Sequence, residues 1–575
     1  MTYLVNDPTA FADELIEGFV AAYPDRVAAV PGGVVRATTV PAGQVALVIG
    51  GGSGHYPAFA GLVGPGLAHG AAMGNVFASP SAQQVYSVAK AAHAGGGVLL
   101  SYGNYAGDVL NFDQAQERLR AEGIDCRTVT VTDDISSAPV AEAFKRRGIA
   151  GDLCVFKAAA WGIEQGWSLD EVWAFADRAN RRTRSFGVAF SGCTLPGAAE
   201  PLFTVPPGRM GVGMGIHGEP GLREADLGSA DEIAAMLVAG LLAEVPPDVT
   251  SVSGARVAVL TNGLGSVKYE ELFVLHRTVD RLLREAGLEV VQPDVGELCT
   301  SFEMAGVSLT LFWLDDELEQ AWLAPVDAPA YRKGSVAPRR RRDAAHIAAA
   351  LADAVAPASE VSRTDAVTVL AALEAAAAAI DTAVDDLGKL DAVAGDGDHG
   401  IGMQRGATAA ARAARDAVAA GAGAGTVLTR AGDAWADRAG GTSGALWGLI
   451  LRSVGTGLGD ENAIGVRSLA AGVTAARDAV AGFGKAQLGD KTMLDTLWPF
   501  AESLAEAAAR GASLREGWRE ATVAARLSAE RTADLVPRIG RARPHADKSL
   551  GTPDPGAISM ALMVEAVSQA LGSDE

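Results

Sequence analysis

The chain has 575 residues, 49% hydrophobic and 20% charged, with a formal net charge of −21. That length calls for about two to four domains, and the composition is that of an ordinary globular protein. The acidity argues against nucleic acid as a partner. Cys126, Cys154, Cys193 and Cys299 include no Cys-x-x-Cys pair, so neither a disulfide framework nor a zinc site is indicated. The opening residues lack the basic and apolar regions of a signal peptide, and the longest apolar run, Ile233 to Ala243, is too short to span a bilayer. A cytoplasmic location with no membrane partner is expected.

From about residue 25 to 330, short apolar runs alternate with glycine-rich loops and amphipathic stretches. Gln44–Ile49 reads as a buried strand running into Gly50-Gly-Gly-Ser-Gly54, with His55 directly after it. The apolar strand Val98–Leu100 leads to Gly103-Asn-Tyr-Ala-Gly-Asp108. Gly211-Val-Gly-Met-Gly-Ile-His-Gly-Glu-Pro220 sets His217 between glycines, but its Gly-x-Gly-x-Gly is weak evidence for a dinucleotide site because no acidic residue closes a βαβ unit. Arg256–Leu260 enters Thr261–Gly265 and then a helical pattern through Leu283. Strands alternating with helices indicate α/β layers, and two distant strand-to-glycine-loop units indicate two α/β subdomains with ligands at strand C-terminal ends. Taken singly, each histidine reads equally well as a structural hydrogen-bonder. Two histidines and an aspartate on glycine-framed loops form a credible acid–base set.

Residues 329–362 carry prolines, the basic run Arg339–Arg342 and no apolar periodicity, and read as a linker. A nucleic-acid patch is the sharper reading of that run, disfavoured on so acidic a chain. From 363 to 575 the sequence is Ala-rich with helical spacing in about eight segments, near 364–386, 399–420, 424–438, 442–458, 463–483, 492–510, 513–535 and 554–571, so an all-α domain is expected. Between the first two, Asp391, Asp396 and Asp398 converge around glycines, a carboxylate set suited to Mg²⁺ with substrate phosphates. An EF-hand is excluded because the position for its last ligand is Ala407; an acidic surface turn is the plain alternative. Gly440-Gly-Thr-Ser-Gly444 opens a helix and is a plausible phosphate cradle. Metal-binding carboxylates beside a phosphate nest indicate a nucleotide, and no Gly-x₄-Gly-Lys-[Ser/Thr] loop is present.

Seven motifs, at 50–57, 104–108, 213–221, 395–400, 440–444, 489–495 and 553–557, together resemble the ATP-dependent dihydroxyacetone kinase family, in the family's order and over nearly the whole chain. The resemblance implies a K-type α/β ketose-binding domain (1–328) and an L-type all-α nucleotide-binding domain (363–575). It implies that His217 adds to the substrate ketone as a hemiaminal, which only a carbonyl can form. Asp108 would take the proton of the attacking primary hydroxyl, with His55 as acid–base partner. Ser53, Gly54 and Gly103 would line the ketose. Asp391, Asp396 and Asp398 would hold two Mg²⁺ ions against ATP, with Thr442 and Ser443 at the phosphates. His399, Gly441, Gly489, Met493, Arg541, Asp554 and Gly556 would complete the nucleotide site. A single chain with both halves resembles the branch that exchanges ATP directly, and a homodimer is implied.

Three departures bear on the substrate. Gly103 and Ala106 stand where dihydroxyacetone-specific members carry Lys and Thr, Gly540-Arg-Ala-Arg-Pro-His545 replaces Gly-Arg-Ala-Ser-Tyr, and Thr552 replaces His. Fewer donors and more volume near the ketose suit a four-carbon substrate, so a kinase for dihydroxyacetone or erythrulose is expected. The alternatives are FAD-AMP lyase (cyclizing) activity or a non-catalytic ketose-binding regulator.

Overall fold

The computed structural model describes residues 4–341, 343, 355, 357–395, 397–539 and 546–572, which form two compact units. In the first unit β1 (Val27–Val30), β2 (Gly33–Arg36), β3 (Ala46–Ser53), β4 (Gly70–Val76), β5 (Val98–Gly103) and β6 (Cys126–Val131) make one sheet, ordered 1-2-4-3-5-6. Strands β4, β3, β5 and β6 run parallel, and the β1–β2 hairpin closes one edge antiparallel. Every residue of β3 is buried, as a central parallel strand covered on both faces requires. The period of two is visible in the packing. Ala46, Val48, Val98 and Leu100 meet Val85, Ala89, Phe112 and Ala115 of helices Ala82–Ala92 and Ala106–Ala121. Leu47, Ile49 and Leu99 face the opposite layer, with Phe156 and Phe175 of helices Asp152–Glu164 and Leu169–Arg181.

The second sheet holds β7 (Thr183–Ala189), β8 (Arg209–Val212), β9 (Arg223–Asp226), β10 (Arg256–Gly263), β11 (Glu289–Val290), β12 (Asp294–Gly296) and β13 (Gly306–Leu314). Its order is 11-10-13-7-8-9, with β12 also beside β10. Helices Ala230–Leu242 and Tyr269–Glu285 cover one face, while Ala258, Leu260 and Phe312 enter the core shared with the first sheet. Two sheets on one core match the two expected α/β subdomains.

The segment expected as a linker begins with ordered structure. Arg332–Lys333 pairs with Val326–Asp327, and Arg341 bridges to Thr38. Arg339 and Arg341 form ion pairs with Glu164 and Asp25. The basic run thus straps this end of the α/β unit to its own acidic surface. At the other end, helix Glu360–Asp391 already starts inside the expected linker, capped by the Ser359 hydroxyl on Ser362 N–H.

The second unit is a ring of eight long helices: Glu360–Asp391, His399–Ala419, Ala424–Ala439, Gly441–Leu458, Val466–Gly484, Leu494–Arg510, Leu514–Arg531 and Pro555–Ala570. Each packs on its chain neighbours, and the last packs on the first, closing the ring. Neighbours run antiparallel: short connections enforce it between most of them, and the seventh and eighth helices meet antiparallel through Trp518 to Val564 and Thr532 to Asp554. The third and fourth helices approach most closely where Gly425 faces Gly455 and Gly432 faces Gly448. Helix Glu360–Asp391 is by length and composition apolar enough to cross a membrane. Its Ala366, Val369, Leu373, Ala376, Ile380 and Leu387, at helical spacing, lie in the core of the ring.

Alternation around the ring has a geometric result. The connections after the first, third, fifth and seventh helices all emerge at one end. They carry Asp391 to His399, Gly440–Gly441, Gly489–Met493 and Asp554. The opposite end is stapled by Asp460, whose carboxylate accepts from Thr426 N–H and Oγ1 and whose carbonyl accepts from Ser359 N–H.

Candidate active site

In the α/β unit, β3 and β5 deliver their C-terminal ends to one place, where ligands bind in parallel sheets. The β3 loop presents His55, 3% exposed, and the β5 loop presents Asp108 in the first turn of helix Ala106–Ala121. The second sheet contributes two loops. One follows β8 and carries His217; the other, Cys299–Phe302, follows β12 and clamps the β3 loop, with Phe302 N–H donating to the Gly54 carbonyl and Thr300 N–H to that of His55.

The two histidines meet. His55 Nε2 lies 3.0 Å from His217 Nε2, with the rings edge to face. His55 Nδ1 lies 2.8 Å from the Thr300 carbonyl, and His217 Nδ1 lies 3.0 Å from Glu219 Oε1. Glu219 also accepts from the His217 backbone N–H and lies 3.6 Å from the Arg147 guanidinium. Arg147 in turn pairs with Asp134 and donates to the Gly213 carbonyl. Phe77 stacks on His55 at 5.0 Å, and Tyr105 stands edge-on to His217 at 4.9 Å.

Burial sets the charges. It drives His55 down to about 3, with the neighbouring His217 adding to the effect. Burial alone would raise Glu219, but His217 and Arg147 outweigh it and hold that carboxyl at about 2. Asp108 is pushed up to about 7 by burial, partly offset by Ser79 and His217. Its Oδ1 is buried and has no hydrogen-bond partner, as does the Tyr105 hydroxyl. A carboxylate near neutrality with an open lone pair, beside an imidazole pair, has the makings of a general base.

Gly54 holds this arrangement together. Its φ is +105°, and a Cβ there would lie 2.7 Å from the rings of both Phe302 and Phe77. Those two aromatics are themselves in left-handed backbone, at φ +49° and +50°. Gly54→Ala is expected to cost about 1–3 kcal/mol and to unseat the aromatic wall behind His55. A thermal melt together with kcat checks this; a variant with wild-type values for both would sink it.

Two expected ketose contacts look different in the structure. The Ser53 hydroxyl is buried and donates to the Gly74 carbonyl at 2.7 Å, so it is already spent inside the sheet. At Gly103 a side chain would meet close neighbours. A Cβ there would lie 3.1 Å from the Gly148 carbonyl oxygen and 3.2 Å from the Tyr105 ring. A side chain at Gly103 would need the Gly148 loop and the Tyr105 ring to give by a few tenths of an ångström.

In the helical unit, Asp391 Oδ2 accepts from the N–H groups of Gly397 (2.9 Å) and His399 (3.4 Å), folding the acidic loop back on itself. Burial, and then Asp391, raises the Asp398 carboxyl. A carboxyl whose ionised form is disfavoured by burial and a neighbouring carboxylate suits a hard divalent cation. Asp396 and Arg541 lie outside the described residues, and among the described residues no group of three His, Cys, Asp or Glu is placed to hold a metal. Thr442 and Ser443 are exposed in the first turn of helix Gly441–Leu458, which has no side-chain cap. His399 Nε2 meets Ser559 Oγ at 3.0 Å. Gly489 N–H donates to Asp495. Met493 is buried, and its Cβ lies 3.4 Å from where a Cβ on Gly556 would stand. Asp554 caps helix Pro555–Ala570 by accepting from Ala557 N–H, and burial raises it to about 7. Lys491, to which sequence reasoning gave no role, is buried at φ +61° and donates to the carbonyls of Leu535 and Ser549.

An α/β unit with a paired-imidazole pocket, joined to a helical ring with an acidic loop and an uncapped glycine turn at one end, is the architecture of a two-domain kinase. Residues 17–330 match the Dak1 domain and residues 393–569 the DAK2 domain. The chain belongs to the dihydroxyacetone kinase family. It is 60% identical over 574 residues to L-erythrulose kinase of Pectobacterium atrosepticum, covering 100% of this chain and 97% of the relative. It is 52% identical to D-erythrulose kinase of Mycolicibacterium smegmatis, covering 99% of this chain and 98% of the relative. Among solved structures it is similar to the dihydroxyacetone kinase of C. freundii in complex with AMP-PNP and Mg²⁺, at 29% identity and a TM-score of 0.53 over 99% of both chains.

Proposed function

We propose that this chain is an ATP-dependent erythrulose kinase, with the L enantiomer as its preferred substrate. The observation that carries the reading is full-length similarity to erythrulose kinases, 60% identity for one L-erythrulose enzyme against 53% and 52% for an L- and a D-erythrulose enzyme of Mycolicibacterium smegmatis, in a chain whose pocket holds the His55–His217 pair beside Asp108.

His217 captures the carbonyl. Its Nδ1 is taken up by Glu219, so Nε2 is the nitrogen available to the ketone carbon. His55 sits within hydrogen-bond reach of that nitrogen and exchanges the proton with the carbonyl oxygen. Asp108 Oδ1 receives the proton of the primary hydroxyl as its oxygen attacks the γ-phosphorus of ATP. Gly54 and Gly103 shape the pocket through their backbone.

Asp391, Asp396 and Asp398 are the residues that would hold two Mg²⁺ ions, whose charge offsets that of the phosphates in transfer. Thr442, Ser443 and the free amides from Gly441 favour phosphate at a helix N-terminus. His399, Gly489, Met493, Arg541, Asp554 and Gly556 belong to the same nucleotide reading, Asp554 through the helix it caps. A cytoplasmic homodimer completes the proposal and is checked by sizing the protein in solution.

The test is ADP release by purified protein with Mg²⁺ against L-erythrulose, D-erythrulose, dihydroxyacetone and glycerol. L-erythrulose is expected to lead in kcat/KM, by about tenfold over dihydroxyacetone, the effect of roughly 1.4 kcal/mol in the transition state. Glycerol, which has no carbonyl, should give none. Gly103→Lys is expected to lower all ketose turnover, because its side chain crowds the Gly148 carbonyl and the Tyr105 ring beside the pocket. A dihydroxyacetone preference would overturn the substrate assignment.

A further inference from the structure

Hydrogen positions around the imidazole pair follow from what each nitrogen faces. The Thr300 carbonyl can only accept, so His55 Nδ1 carries a proton. Glu219 is ionised and can only accept, so His217 Nδ1 carries one too. If both rings were neutral, two bare Nε2 lone pairs would face each other at 3.0 Å. That contact requires a proton between them.

From this geometry we infer that the pair stores one proton at the Nε2–Nε2 contact, that Glu219 held by Arg147 is the positioning residue that keeps it there, and that this proton becomes the hydroxyl hydrogen of the captured ketose. The inference rests on the carbonyl-capture reading above. The charged groups facing the pair fit a single stored proton: Glu219 at 3.0 Å, Arg147 behind it, Asp134 behind Arg147, and Asp108 within electrostatic range of His217. Phe77 and Tyr105 wall the remaining sides with rings. Burial disfavours a cation on His55, so the stored proton resides on His217 Nε2.

The step balances without solvent. The proton leaves His217 Nε2 for His55 Nε2, and the freed lone pair forms the N–C bond. The carbonyl π pair moves to oxygen and takes the proton from His55. The product is an alkylated imidazolium at His217, still donating from Nδ1 to Glu219, with its new hydroxyl donating to a neutral His55. One positive charge is present before and after.

Binding of carbonyl-labelled L-erythrulose to the full chain without nucleotide tests this. Calorimetry at pH about 7 in two buffers of different ionisation enthalpy reads proton exchange, and ¹³C NMR on the same samples reads carbonyl capture. We expect the hemiaminal carbon signal with buffer-independent heat. In Glu219→Gln the pair is no longer held charged, so binding should take up about one proton per site. Arg147→Lys should fall between, with the same capture signal. Capture with about one proton taken up by the unaltered protein overturns the stored proton and leaves carbonyl capture standing. Buffer-independent heat in Glu219→Gln overturns the role of Glu219. No capture signal overturns both readings.

Discussion

Replacing His217 with alanine is expected to reduce erythrulose phosphorylation by about 10⁴-fold or more, the scale on which covalent catalysis fails when its nucleophile is removed. The loss should fall on kcat/KM for ketoses, because in the mechanism proposed above the hemiaminal would both bind the substrate and fix its hydroxyl for attack. His217 is partly exposed and outside the hydrophobic core, but its removal leaves Glu219 with Arg147 alone, so the melting temperature should fall modestly. ADP-release kinetics and a thermal melt give both numbers. Retention of a tenth of the parental activity would refute the covalent role.

Asp108→Asn is expected to lower kcat by about 10²–10⁴-fold while making the protein more stable at neutral pH. Both effects come from one buried carboxyl raised to about 7. As a base it works only when ionised, so the parental kcat should climb as pH rises through about 7, and the variant should lose that limb. For stability the sign is opposite. The folded state holds the proton more tightly than the unfolded chain does, so its contribution is full below the ordinary carboxylate range and is lost as pH rises to about 7. Asparagine cannot ionise, and it should melt higher than the parent by an amount that grows between pH about 4 and 7 and levels off above. On the scale of 1 kcal/mol this is about 2–4 °C. A constant difference across that range would show that Asp108 is not buried as a proton-holding acid.

The α/β layers were legible because β3 and β10 are apolar runs that end in glycine loops, and the helical half because its apolar positions recur at helical spacing. His55, Asp108 and His217 could be picked out since each sits on a glycine-framed loop. Their contact could not, because the two histidines are 162 residues apart and meet only through packing of two sheets. Glu219 was inside a motif already noted, two residues after His217, yet its part appears only when its carboxylate is seen on the ring. Phe77, Phe302 and Arg147 left no local signal at all: what matters in them is a left-handed backbone or a partner on another strand. The close approach of Gly148 to Gly103 was hidden for the same reason, since it comes from a loop 45 residues further along the chain.

The closed circle of helices has no intrinsic beginning. Glu360 and Ala570 both lie at the end away from the acidic loop and the glycine turn. Joining them with a short peptide, and cutting instead at the connection near Gly421 or Gly511, would give a circularly permuted unit with the acidic loop and the glycine turn uncut. Which helix comes first would then be a property of the gene, and not of the ring itself.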